Sequence, residues 1–183
     1  VGSAVAAELA RLKPLWAQPV SGARAVLVGL LLCALSGCGG SDPKTAFYAG
    51  EYADSLAGFS ALAEAGDLEA QNFLGLHYYL GLGVARDLPR ATAAFERAAL
   101  GSVADAQFNL GLMYMNGYGI EQNNQRAYGW FFQSYNGGKK KARPYILFLA
   151  DNVTPNAGLQ AREWVEQQVR TQLHAAEPAA QGE

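Results

Sequence analysis

The chain has 183 residues, half of them hydrophobic, with 14 Lys plus Arg against 16 Asp plus Glu and a formal net charge of −2. That is enough apolar material for one modest domain with a buried core. The charge balance gives no polyanion-binding signal, so nucleic acid is excluded as the expected partner.

In chain order, residues 1–37 stand outside the expected fold. The sequence opens on Val and has no Met before Met113, so the true initiator is expected at Val20 or a nearby codon, and Val1 to Ala23 receive no assigned structure. Ala25 to Leu35 is an apolar run preceded by Arg11, Lys13 and Arg24. It is too short to span a bilayer but suits the apolar stretch of a signal peptide. Leu35-Ser36-Gly37-Cys38 follows and is similar to the bacterial lipobox. That resemblance implies removal of residues 1–37 and acylation of Cys38, palmitate included, with residues 38–41 as a lipidated tether. Several acyl chains anchor far more firmly than one. Gly39 rather than Asp after the cysteine implies the periplasmic face of the outer membrane. Cys33 lies in the discarded segment, which leaves no thiol for a disulfide, a metal or a nucleophile.

The folded domain is expected over residues 42–176. Asp42-Pro43 reads as an N-cap with proline in the first helical turn. A short helix to about Ala49 meets Gly50, and a second helix is predicted from Tyr52 to Ala65. From there the chain repeats itself. AQNFLGLHYYLGLG from Ala70 returns as AQFNLGLMYMNGYG from Ala106, an offset of 36 that needs no gap. It carries Leu74 to Leu110, Gly75 to Gly111, Tyr78 to Tyr114, Gly81 and Gly83 to Gly117 and Gly119, Ala91 to Ala127, and Phe95 to Phe131. Backwards, Phe59 is in register with Phe95, and Gly66 with Ser102 and Gly138. A period in this range marks units that bury their apolar faces only by stacking on one another.

Each unit is predicted to hold two helices. Ala70, Leu74 and Tyr78 stand four apart and share a face, where Gly75 lets a partner helix approach closely and Phe95 or Phe131 fills the groove. The Gly-x-Gly pair ends the first helix, because glycine takes the positive φ that such an end requires. A second helix follows with Ala91, Ala94, Phe95, Ala98 and Ala99 at helical spacing.

Those positions, together with Trp130-Phe131, resemble the Sel-one-like repeat, a relative of the tetratricopeptide repeat, over roughly Tyr48 to Ile146. The resemblance implies an all-α, right-handed αα-repeat solenoid. It would hold two full repeats, a partial leading repeat and a degenerate C-terminal capping repeat. Ala142 and Ile146 keep the register while Leu147 replaces the glycine and Ala150 the tyrosine. Thr154-Pro155 opens a last helix, Asn156 to about His174, with Leu159, Trp164, Val165, Val169 and Leu173 expected inward. Residues 177–183 read as a disordered tail.

Chemistry is harder to find. Ser41-Asp42-Pro43-Lys44 matches the Ser-x-x-Lys pattern of penicillin-recognising enzymes, yet no Ser-Asp-Asn or Lys-Thr-Gly follows. His77 and His174 stand alone, without Glu or His at metal-ligand spacing. The Gly-x-Gly pairs follow helices, whereas a dinucleotide loop follows a strand. The run Lys139 to Lys141 with Arg143 reads as a solvated inter-repeat loop. No catalytic residue, metal or cofactor is therefore expected.

The reading is a non-catalytic protein-interaction scaffold of the envelope, monomeric and held by lipid, with an unidentified protein or peptide as partner. An assembly or stabilising factor of a secretion or exopolysaccharide complex is the alternative, and a hydrolase of peptidoglycan or β-lactams the more remote one. By resemblance to tetratricopeptide folds, the first helices line a concave groove. Asn72, Leu76 and Tyr79, with their counterparts Phe108, Leu112, Met115 and Asn116, are the candidate contacts. Leu76 and Leu112 have a second reading as inter-repeat core.

Overall fold

The computed structural model describes residues 42–176, and among these every regular element is helical. The proposed Cys38 lipidation, the signal segment and tether, and the 177–183 tail lie outside the described residues.

Helix α1 (Pro43–Ala49) starts where the Asp42 carboxylate accepts the Thr45 N–H at 3.0 Å, and it ends at Gly50 with φ 83°. Helix α2 (Tyr52–Glu64) follows. The two full repeats are α3 (Leu68–Leu80) with α4 (Leu88–Leu100), and α5 (Ala104–Asn116) with α6 (Asn124–Asn136). A 3-10 turn (Lys140–Ala142) leads into α7 (Arg143–Ala150) and then α8 (Pro155–Ala176). Side chains one residue ahead of four further helices accept first-turn N–H groups: Asp67 from Ala70, Asp87 from Arg90, Asn123 from Arg126 and Thr154 from Ala157. Each occupies one of the donors that a helix start leaves unpaired.

Within a repeat, α3 packs on α4 and α5 on α6; between repeats, α2 packs on α3 and α4 on α5. The glycines explain how closely. A Cβ at Gly75 would fall into the Phe95 ring, and one at Gly111 would lie 2.8 Å from Phe131. Phe95 and Phe131 are buried at 1% and 0% exposure, so neither ring has room to yield. The paired glycines of the turn divide their work. Gly81 and Gly117 cap the helices with φ of 73° and 69°. Gly83 and Gly119 also press on the start of the preceding second helix, where a Cβ at Gly83 would sit 2.8 Å from the Tyr52 carbonyl oxygen and one at Gly119 would meet the Leu88 backbone.

The C-terminal end departs from the repeat. Helix α7 packs on α6, but α8 packs on α6 and reaches α4 rather than forming a hairpin with α7. Ala161, Val165 and Val169 form its buried stripe, while Trp164 is half-buried. The expectation that Leu159 and Leu173 point inward is corrected, since they are 47% and 46% exposed. Four-residue spacing fits the stripe 161, 165, 169, and Leu159 lies off it by half a turn. Leu173 is in register but emerges past the last buried position of the stripe. Because α8 turns away, Leu147 and Phe148 of α7 are also exposed.

Candidate interaction surfaces

The first helices of the repeats, α3 and α5, present a surface bounded by α1 and the 3-10 turn. Part of it is a groove of about 400 Å³ whose walls include Phe47, Tyr48, Asn72, Leu76 and Asn109. Its rim is charged and internally paired. Lys44 meets Glu69 at 2.8 Å, and Lys139 and Lys141 both approach Asp105. The hydrogen bond that the Lys44 ammonium donates to Glu69 raises its pKa above the ordinary value. The basic run is thus partly engaged by the fold, with Lys140 over the Tyr135 ring and Lys141 over Phe108.

Asn109 donates to Asn72 across the repeat boundary at 3.0 Å. Beside that bridge, Leu76, Tyr79, Asn109 and Leu112 surround a small apolar recess floored by Phe95 and Met113. Of the sequence candidates, the structure therefore gathers Asn72, Leu76, Tyr79 and Leu112. Tyr79 leans on Tyr118 with ring centroids 6.2 Å apart, and its carbonyl accepts from Arg86. Asn116 is exposed and donates to the Leu112 carbonyl of its own helix. Met115 is half-buried against the core, its carbonyl taken by Gln122. Phe108 is withdrawn from the surface, 6% exposed between Phe131 and Tyr145.

Asn109 was missed by sequence reasoning, although a signal exists. Residues 72–73 read Asn-Phe and residues 108–109 read Phe-Asn, so the polar residue changes sides between copies and the two asparagines can meet. Two other recurring residues, Arg90 and Arg126, were also passed over. Arg90 donates to the Tyr78 hydroxyl at 2.8 Å and lies over its ring, and Arg126 stands likewise by Tyr114 while also covering Trp164. Their 36-residue spacing was the available signal.

His77 has a specific place. Its Nδ1 is 2.7 Å from the Leu82 carbonyl oxygen and its Nε2 is 3.0 Å from the Ser55 hydroxyl. A carbonyl can only accept, so Nδ1 carries a proton, and in the neutral ring Nε2 then accepts from the Ser55 hydroxyl. A hydroxyl beside an imidazole is the geometry of an activated nucleophile, yet both side chains are fully buried and the imidazole is ringed by Phe47, Tyr52 and Phe59. The pair ties the Gly-x-Gly turn to α2. Among the described residues no three His, Cys, Asp or Glu side chains gather as a metal site requires, and no helix is long and apolar enough to cross a membrane.

Comparison with known proteins agrees with this architecture. The Sel1 repeat family matches residues 68–102 and 104–139. A protective antigen of uropathogenic Escherichia coli displaying an SLR fold superposes with a TM-score of 0.65 at 22% identity, over 77% of this chain and 32% of that one. A Sel1 repeat protein from Oxalobacter formigenes superposes with a TM-score of 0.51 at 34% identity, over 53% of this chain and 28% of that one. The chain thus spans about a third of the length of these solved structures. No curated protein matches the sequence. Sel1 repeats typically serve as protein–protein interaction scaffolds. With two repeats matched in tandem and solved neighbours built the same way, residues 68–102 and 104–139 of the chain are identified as Sel1 repeats.

Proposed function

We propose that the chain is an envelope lipoprotein, anchored through Cys38 at the periplasmic face of the outer membrane, whose repeats bind a protein or peptide without catalysis. The observation that carries the binding reading is the recess where Leu76, Tyr79 and Leu112 of successive repeats meet around Asn109. Aromatic and aliphatic side chains around a partly covered recess, with an amide at its edge, make a suitable anchor pocket for a partner side chain. The anchor reading is supported by the Leu35-Ser36-Gly37-Cys38 box behind a short apolar run.

Two variants separate the parts of this reading. Cys38→Ser should move the protein from the membrane to the soluble fraction, and an unacylated Cys38 in a membrane-held protein would remove the anchor. Tyr79→Ala with Leu112→Ala should weaken partner capture in crosslinked envelope membranes by about 1–2 kcal/mol or more. Unchanged capture by a folded double variant would move the binding site elsewhere.

A further inference from the structure

The two repeats differ in whether their outer groove is filled. Between α2 and α4, above α3, runs an open groove of about 710 Å³ whose lining includes Gln71, Leu74, Tyr78, Arg90, Ala94 and Arg97. Shifted by 36, these are Gln107, Leu110, Tyr114, Arg126, Trp130 and Gln133, the corresponding groove between α4 and α6. That second groove is where α8 packs. A Cβ at Gly129 would lie 2.7 Å from the Ala161 carbonyl oxygen, Arg126 covers Trp164, and Val165 and Val169 share a core cluster with Trp130 and Leu110. Burial records the difference: Leu110 is at 0% and Tyr114 at 3%, whereas Leu74 is at 9% and Tyr78 remains half-exposed.

We propose that the open groove between α2 and α4 is a second docking surface, separate from the recess on the first helices, and that it takes an amphipathic helix of a partner protein, as its twin takes α8. The lining states the chemistry of that helix. In the filled groove the protein supplies the Trp130 indole, but Ala94 stands at its position, so the incoming helix must bring a bulky apolar side chain of its own. An aromatic residue would stack on Arg90 as Trp164 does on Arg126. Gln133 is replaced by Arg97, which with Arg90 sets two guanidinium groups against the single carboxylate of Glu64 and favours an acidic flank. A second copy of this chain is a poorer occupant, because the packing face of α8 is already buried on its own α6.

The probe is a fluorescein-labelled peptide with the 22-residue α8 sequence carrying Val165→Trp, and Arg162→Gln with Arg170→Gln so that Glu163 and Glu166 leave an acidic flank. Titrated with the full chain, it should bind saturably at one site. Arg97→Glu should weaken it at least fivefold by charge reversal at an exposed rim, and Ala93→Trp at least tenfold by filling the groove, each with an unchanged melting curve. Should Ala93→Trp fail to fold, Arg97→Glu decides alone. Absence of saturable binding overturns the proposal, as does binding indifferent to Arg97→Glu. So does a peptide-free dimer of the chain that Ala93→Trp disperses, because the occupant is then a second copy.

Discussion

The two repeats stack by the same residues and differ at the joint each makes with the helix before it. In the first, His77 hydrogen-bonds Ser55 of α2; in the second, Met113 stands at the position of His77 and Ala91 of α4 at that of Ser55. Both joints are fully enclosed, with His77 and Ser55 at 0% exposure, Met113 at 1% and Ala91 at 0%. One position therefore accepts a polar pair or an apolar pair. It does not accept half of each, since a buried hydroxyl or carbonyl left without a partner loses its hydration for nothing.

The largest expected effect breaks what the repeats share. At Gly119 an added methyl meets the Leu88 backbone and the residue also holds φ 69°, so nothing nearby can yield. Gly119→Ala should cost about 3 kcal/mol, combining overpacking with left-handed strain. Gly83→Ala meets the equivalent backbone atoms of Tyr52 and Ala53 at longer range, 2.8 Å at the nearest, and should cost less; denaturant midpoints of the two variants measure the gap. Equal midpoints would show that the two turns press equally on their neighbours.

Next, Gly111→Leu sets a side chain against the buried Phe131 ring and should cost at least about 1–3 kcal/mol, seen as a clear fall in Tm. An unchanged Tm would contradict the close crossing of α5 and α6.

The comparison is sharpened by transplanting one joint into the other. His77→Met alone leaves the Ser55 hydroxyl and the Leu82 carbonyl without their partner and should cost about 1–3 kcal/mol. Adding Ser55→Ala installs the apolar pair of the second repeat and should recover the part of that loss due to the hydroxyl. The Leu82 carbonyl stays unpaired, because its counterpart at Tyr118 accepts from Thr92 and Leu56 stands at the position of Thr92. A double variant no better than the sum of its two single changes would show that the pair does not act as a unit.

The smallest effect is a gain. Ser102 holds φ 68° where its counterparts Gly66 and Gly138 hold 94° and 98°. Ser102→Gly removes left-handed strain but frees the unfolded chain, so the net stabilisation should stay below about 1 kcal/mol. A lower Tm for this variant would show that the serine is held there by more than its backbone.

Much of this molecule was legible in one dimension. The 36-residue offset marked the helix pairs, the glycine pairs marked their ends, and Gly75 with Phe95 marked a contact before any coordinates, because stacking imposes the same sterics on every copy. The candidate surface was read less well. Helical spacing placed Asn72 and Phe108 on one face together, but spacing says nothing of how far a neighbouring helix overlaps that face. Phe108 went under Tyr145, and Asn72 found Asn109.

By itself the sequence determined the repeat, its period and its turn chemistry, all of which depend on residues near one another along the chain or one period apart. Only the tertiary structure decided the course of α8. Its stripe of Ala161, Val165 and Val169 suits any apolar groove. The near-contact of Gly129 with the Ala161 backbone and the Trp130 indole made the groove between α4 and α6 its partner, which left the groove between α2 and α4 open.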